Sequence, residues 1–211
     1  MATVTAPPVQ QIVLHDISWE TYERLLADHA NSSAPRFTYD RGELEILSPS
    51  TEHEEDNRTL ALLVEIIAHE FSLDIRNVGS MTFKRHRLQQ GFEPDSSFYI
   101  PNEVRVRGRR QIDLAVDSPP DVIIEIEVTR SAIPKLPIYA AMGVPEVWRR
   151  EEERVVILRL LDGVYAEAAV SAALPPLTGE VLTEFLAASR SQRRTAWMTR
   201  IRDWAAAQHA S

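Results

Sequence analysis

The chain has 211 residues, a length that suits one domain or one domain with terminal arms. It contains no cysteine, which removes disulfides and thiolate metal sites from consideration and fits a reducing, cytoplasmic compartment. A net charge of −8 argues against a surface built for non-specific nucleic-acid binding, and no apolar run approaches the roughly 20 residues that cross a bilayer.

Met1 to Gln11 is small, polar and proline-containing, without the basic and apolar regions of a signal peptide, so residues 1–14 are expected to be a loose tail. Ser18 can cap a helix running to Ala30, with Trp19, Tyr22, Leu25 and Leu26 at helical spacing. Residues 36–40 and 43–47 alternate apolar and polar around Arg41-Gly42, which reads as a β-hairpin. Ser50 or Thr51 then caps a long amphipathic helix over 51–72, with Leu60, Leu63, Val64, Ile67 and Phe71 as its buried stripe. Short strands are expected near 73–78 and 81–87. A turn at Gln89-Gln90-Gly91 leads into 94–100, and residues 101–112 read as a polar, arginine-rich loop.

Val122 to Val128 is the most hydrophobic strand, which places it centrally in the sheet. Pro134 and Pro137 delay the next helix to about 134–137, since proline suits only a helix's first turn, and Gly143 ends it. Strands over 144–149 and 155–161 follow, then a tight Asp162-Gly163 turn into 164–170. Residues 182–211 read as helical with a break near 189–194. The order implies an α/β fold, a mixed sheet with helices packed on it, over residues 15–190, followed by a helical extension at 191–211.

The chemistry concentrates between residues 93 and 139. A strand places i and i+2 on one face, so Glu125 and Glu127 project together while Val122, Ile124 and Ile126 face a helix. Buried carboxylates need a counter-charge or a metal. Asp95 follows Pro94 at the start of an earlier strand. If the two strands pair, three carboxylates converge, and hard oxygen donors suit Mg²⁺ or Mn²⁺. Such an ion polarises a phosphoryl oxygen and acidifies a bound water. Lys135, beside the next helix, can orient that water or offset developing negative charge. Each feature also has a plainer reading: an exposed edge strand, a turn dipeptide, a surface lysine. The arginine-rich runs at 84–87, 105–110 and 190–202 read first as solvated surface and second as phosphate contacts.

Glu93-Pro94-Asp95 followed by Glu125-Ile126-Glu127 resembles a degenerate PD-(D/E)XK nuclease signature. More closely, the chain resembles a large bacterial family of restriction-endonuclease-like proteins. The shared landmarks are Gly42-Glu43-Leu44-Glu45 with Ser48-Pro49 and His53; Gly91 to Asp95 with Phe98-Tyr99-Ile100; Ile112-Asp113-Leu114; Glu125 to Ser131; and Gly143-Val144-Pro145-Glu146-Val147-Trp148. The resemblance implies a restriction-endonuclease-like sheet, a Mg²⁺ or Mn²⁺ cofactor, DNA as substrate and a homodimer that cuts two strands. It assigns metal binding to Asp95 with Glu125 or Glu127, and water activation to Lys135. It leaves open which glutamate is the main ligand, because Glu127 stands where the superfamily has lysine and Lys135 sits on the following helix. Accessory candidates are Glu45, His53, Asp113 and Tyr139, the last one helical turn after Lys135. Trp197, Ile201 and Trp204 offer either a dimer interface or intramolecular packing. No nucleotide-cofactor loop, nucleophile elbow or zinc-spaced histidine set occurs, so no small-molecule cofactor is expected. The alternative is a nuclease-fold module that binds nucleic acid or protein without cutting, and RNA cannot be separated from DNA as target.

Overall fold

The computed structural model describes residues 10–30, 32, 34–127 and 131–209. Its strands divide into two sheets rather than forming the one sheet expected. The first holds β1 (Gln10–Leu14), β2 (Arg36–Asp40), β3 (Glu43–Ser48), β5 (Phe83–Arg85) and β6 (Gln90–Phe92) in the order β1-β3-β2-β6-β5, entirely antiparallel. The second holds β4 (Arg76–Asn77), β7 (Ser96–Tyr99), β8 (Val122–Glu127), β9 (Glu146–Glu151), β10 (Arg154–Leu161) and β11 (Val164–Glu167) in the order β11-β10-β9-β8-β7-β4. It is mixed, because β8 and β9 run parallel and the other neighbours antiparallel.

The parallel pair follows from the connection. Between β8 and β9 the chain crosses over through α4 (Lys135–Met142), the βαβ arrangement that parallel pairing requires. Pro134 precedes α4, and Gly143 ends it at φ 79°, the left-handed cap expected of glycine. The hairpins at Arg41-Gly42 and Asp162-Gly163 also form where the sequence places them.

Faces of the six-stranded sheet are set by alternation along β8. Val122, Ile124 and Ile126 pack against α2 (Thr51–Glu70), α5 (Gly179–Ser189) and α6 (Arg194–His209) in the largest core cluster. Ile123 faces the other way, into a second cluster with Ile138, Tyr139 and Met142 of α4. Helix α1 (Trp19–Asp28), capped by the Ser18 hydroxyl, covers the small sheet with Trp19 and Tyr22. Gly91 on β6 must lack a side chain there, since a Cβ would strike the Tyr22 ring.

Several boundaries differ from expectation. Strand β1 occupies part of the supposed tail over 1–14, where Ile12 and Leu14 pair with Ile46 and Leu44; residues 1–9 lie outside the described residues. The turn at 89–91 instead feeds strand β6, because Gln89 takes the left-handed conformation after a short 3₁₀ turn at His86–Leu88. The 101–112 loop contains one short helix, α3 (Glu103–Val106). The C-terminal segment is no appendage. Trp197, Ile201 and Ala205 are buried against α2 and α5, the Trp197 indole donates to the Phe185 carbonyl at 2.7 Å, and Trp204 stacks edge-on to Phe185. Its apolar face is therefore spent inside the chain. Among the described residues no helix is long and apolar enough to cross a membrane.

Candidate active site

The β7–β8 ladder pairs Ser96 with Ile124, so Asp95, at the bend just before β7, lies in register with Glu125. The chain thus brings together two acids 30 positions apart at the end of two paired strands. Asp95 is buried, and both of its oxygens are engaged. Its Oδ2 accepts the Ile126 N–H at 2.6 Å; its Oδ1 accepts from the Arg36 guanidinium and lies 2.8 Å from His53 Nε2. Burial alone would raise its pKa. The His53 hydrogen bond and the charges of Arg36, His53 and Lys135 outweigh that and hold the carboxyl below its ordinary range.

Glu125 is held from the other side. Its Oε2 accepts from Lys135 Nζ at 2.8 Å and its Oε1 from the Tyr139 hydroxyl at 2.5 Å. Lys135 and Tyr139 are i and i+4 on α4, so one helix face supplies both donors. Burial dominates here and pushes the Glu125 pKa up; Lys135 opposes that and the Asp95 charge adds to it. For Lys135 itself, burial would lower the pKa, but Glu125 and then Asp95 override it, so the amine stays an ammonium at neutral pH. The Tyr139 phenol is likewise pushed up by burial and by Glu125.

Four residues that the sequence reading did not single out complete the network. Arg36, at the start of β2 and 6% exposed, bonds Asp95 and Glu54, with its Nη1 3.2 Å from His53 Nε2, and so ties the small sheet to the acid site. Asn57, one turn after His53 on α2, donates to the Asp95 carbonyl at 3.0 Å and accepts from the Ser96 hydroxyl at 2.8 Å. The i, i+4 spacing of His53 and Asn57 was a legible signal that both face one way. Nothing in the pattern of β2 marks Arg36.

The remaining candidates separate. Glu127 shares the Glu125 face, but its carboxylate lies 3.5 Å from Arg149 of β9, which also pairs with Glu151. Three carboxylates therefore do not converge as the strand pattern suggested; among the described residues no group of three His, Asp or Glu is placed to hold one metal ion. Glu45 of β3, 1% exposed, is no free carboxylate. It accepts from Ser131 Oγ at 2.8 Å, Ala132 N at 2.7 Å, Ile133 N at 3.3 Å and Gln11 Nε2 at 2.7 Å, fixing the chain that leads into α4. Asp113 closes a turn by accepting from Ala115 N–H at 2.9 Å. Many arginines of the basic runs are engaged within the chain: Arg107 with Glu103 and Asp74, Arg109 with Asp117, Arg190 with Asp56, Arg200 with Glu184 and Arg202 with Glu70.

His53, Glu125, Glu127, Lys135, Tyr139 and Arg149 line a pocket of about 400 Å³. Asp95 does not line it; it is bonded to His53 and Ile126, which do. The donor set suits a hard dication. Mg²⁺ commonly takes one or two carboxylates and completes its shell with water and phosphate oxygens. Asp95 Oδ2 and Glu125 Oε1 each carry one hydrogen bond, which leaves lone-pair capacity on both acids.

A mixed sheet carrying an acid pair at one strand end, with a lysine from the crossover helix, defines a nuclease-like α/β domain. The chain belongs to the Uma2 family, described as "Putative restriction endonuclease", whose model matches residues 19–189. A crystal structure described as a "putative nuclease belonging to DUF820" from Anabaena variabilis superposes with a TM-score of 0.55. It is 16% identical and covers 81% of this chain and 99% of its own, a likeness of fold. No curated protein is detectably similar in sequence.

Proposed function

We propose that the protein is a metal-dependent endonuclease that hydrolyses DNA phosphodiester bonds at the Asp95–Glu125–Lys135 site. The observation that carries this reading is the meeting of two buried acids from paired strands with one ammonium, beside an open pocket. Asp95 and Glu125 would hold Mg²⁺ or Mn²⁺, with Glu127 outside the set. When bound, the ion supplies polarisation of the phosphoryl oxygens and a more acidic water. Arg36, His53 and the Ile126 N–H fix the Asp95 carboxylate, so its orientation costs nothing on substrate binding. Lys135 remains protonated and therefore donates towards negative charge developing on the phosphoryl oxygens rather than accepting a proton from water. Tyr139 keeps Glu125 turned towards the pocket. In the overall reaction a water oxygen bonds to phosphorus, one P–O ester bond breaks, and the leaving strand's oxygen takes up a proton.

A second reading has its own support. Arg36 and Lys135 already neutralise both acids, and Glu127 occupies the superfamily's lysine position, as suits a domain that binds without cutting. Supercoiled plasmid incubated with Mn²⁺ separates the two. Nicking by the wild type, lost in Lys135→Met and Asp95→Asn, is expected. Equal nicking by all three proteins would refute the assignment. No nicking, together with a Mn²⁺-dependent rise in melting temperature, would favour the binding module. Cutting both strands would take two copies, which sedimentation of the protein with duplex DNA would reveal.

A further inference from the structure

Backbone chemistry does not explain the shape of the pocket. A site that held only a phosphodiester would be lined by donors, whereas much of this wall is apolar: Leu47, Ile133, Leu136 and Val147, flanked by Pro134 and Pro137. The polar groups fall into two sets. Glu125, Lys135 and Tyr139 bond one another at one end. Arg149 Nε is buried facing Glu127 at 3.5 Å, a contact too long for a hydrogen bond, while the same guanidinium pairs through Nη2 with Glu151. A guanidinium beside a carboxylate places N–H donors and an acceptor on one stretch of the pocket wall, the complement of a nucleobase edge. Of the groups that line it, Glu125 is paired with Lys135, Glu127 with Arg149, which also reaches Glu151 outside the lining, and His53 is turned to Asp95, so the pocket suits a flat, largely apolar ligand with a polar rim. Its volume of about 400 Å³ falls within the range of small-ligand sites.

We infer that this pocket receives one nucleobase, unpaired or extruded from the duplex, with its sugar-phosphate linked to the Lys135 end. This rests on the nuclease reading and narrows its substrate class to DNA that can present a base out of the stack. The apolar wall takes the base faces, and the Arg149–Glu127 pair reads the edge. Duplex DNA must be opened at one nucleotide, a cost that falls when the target is mismatched or single-stranded.

The test uses the full chain with Mn²⁺ and duplexes made uncleavable by phosphorothioate linkages, so that binding is read without cutting. Short duplexes carry 2-aminopurine, whose fluorescence rises on unstacking, either paired or opposite a mismatch. The wild type is expected to raise the fluorescence and to bind the mismatched duplex about ten-fold more tightly. Leu136→Phe combined with Leu47→Phe narrows the pocket at half-buried apolar positions; it should abolish the rise and the preference while retaining binding. Should that variant fail to melt cooperatively, the wild-type mismatch preference and an Arg149→Leu variant, expected to lose it, decide instead. Binding with no fluorescence change and equal affinity for both duplexes would overturn the base pocket. The plasmid assay is read separately. Nicking without base extrusion sinks this inference alone, extrusion without nicking sinks only catalysis, and failure to bind or cut DNA sinks both.

Discussion

Replacing Lys135 with methionine keeps most of the side chain's volume but strands Glu125 in a buried site with only the Tyr139 hydroxyl as partner. Removing one member of a buried ion pair costs about 3–5 kcal/mol in general. Here the loss has a ceiling, because Glu125 can take up a proton instead. Bringing a carboxyl of ordinary pKa about 4.3 to the protonated state costs about 1.4 kcal/mol per pH unit above that value, or about 3.7 kcal/mol at pH 7 and about 1 kcal/mol at pH 5. The sign follows from the direction of the shift. Burial raises the folded pKa of Glu125 and Lys135 opposes the rise, so the variant's carboxyl is raised further. A raised folded pKa gives stability that is present below the unfolded pKa and is lost as pH climbs through the folded one. Lys135→Met should therefore be nearly harmless at pH 5 and most destabilising from pH 7 upward. Adding Glu125→Gln removes the stranded charge, and the double variant should return to within about 1 kcal/mol of wild type, a coupling at pH 7 of at least about 3 kcal/mol once the cost of the Glu125→Gln single is included. Urea unfolding at pH 5, 7 and 8 measures the cycle. A cost for Lys135→Met that does not change with pH, or a double variant as unstable as the sum of the singles, would refute the buried pairing. The double variant also separates fold from chemistry, since it should be stable and unable to nick DNA.

The same pairing predicts that Lys135→Met binds Mn²⁺ more tightly than wild type although it does not cut, because the ammonium no longer competes for Glu125; the melting-temperature rise with Mn²⁺ should be larger in this variant and absent in Asp95→Ala. Glu146, 1% exposed, accepts from the Trp148 indole, the Ser171 hydroxyl at 2.6 Å and Ala172 N–H at 2.7 Å. Glu146→Ala orphans three donors at about 1–3 kcal/mol each, so urea unfolding should show a loss of at least about 3 kcal/mol with the acid site's metal response intact. Burial pushes Glu93 above its ordinary carboxyl range despite bonds from Thr82 and Phe37 N–H. Its protonated form therefore favours folding, and Glu93→Gln should flatten the decline in stability as pH rises above about 4.5, read by thermal melts across that range.

What the sequence disclosed and what it hid follow from range. The α2 stripe, the Gly143 cap, the two glycine turns and the faces of β8 depend on neighbours within a few residues, and each forms as its local pattern implies. The strand spacing also put Glu125 and Glu127 on one face, as found. It could not tell that β9 would bring Arg149 alongside and draw Glu127 away, because that pairing depends on the register of a strand two elements later. Arg36 was hidden for the same reason. Its contacts lie 17 and 59 positions away, and a strand residue preceding alternating Phe37, Thr38 and Tyr39 looks solvent-facing until the second sheet is in place. The division into two sheets rests on β6, a three-residue strand containing Gly91, whose weak local propensity is overridden by the Tyr22 ring packed on it.

The charge balance of the site has one more consequence. Asp95 and Glu54 share Arg36, Glu54 also pairs with Arg58, and Glu125 pairs with Lys135, so three acids around the site face three cations. Adding a dication to balanced charges leaves an excess of two positive charges in a medium where unpaired charge is costly. Two routes relieve it: an ammonium withdraws into solvent, or an anion enters with the metal. Lys135 is 15% exposed and sits at the pocket wall, whereas Arg36 is 6% exposed and locked to Asp95 and Glu54, so the first route is open only to Lys135. A phosphodiester supplies the second route and would give the freed ammonium a new partner. Metal and nucleic acid should therefore bind cooperatively, each weakly alone, and the coupling should largely vanish in Lys135→Met, where no ammonium has to leave Glu125 and find a phosphate. Titrating Mn²⁺ with and without a short uncleavable phosphorothioate duplex would expose that difference. Equal Mn²⁺ affinity in the two titrations of the wild type would mean that the acid pair and the nucleic acid do not share a site.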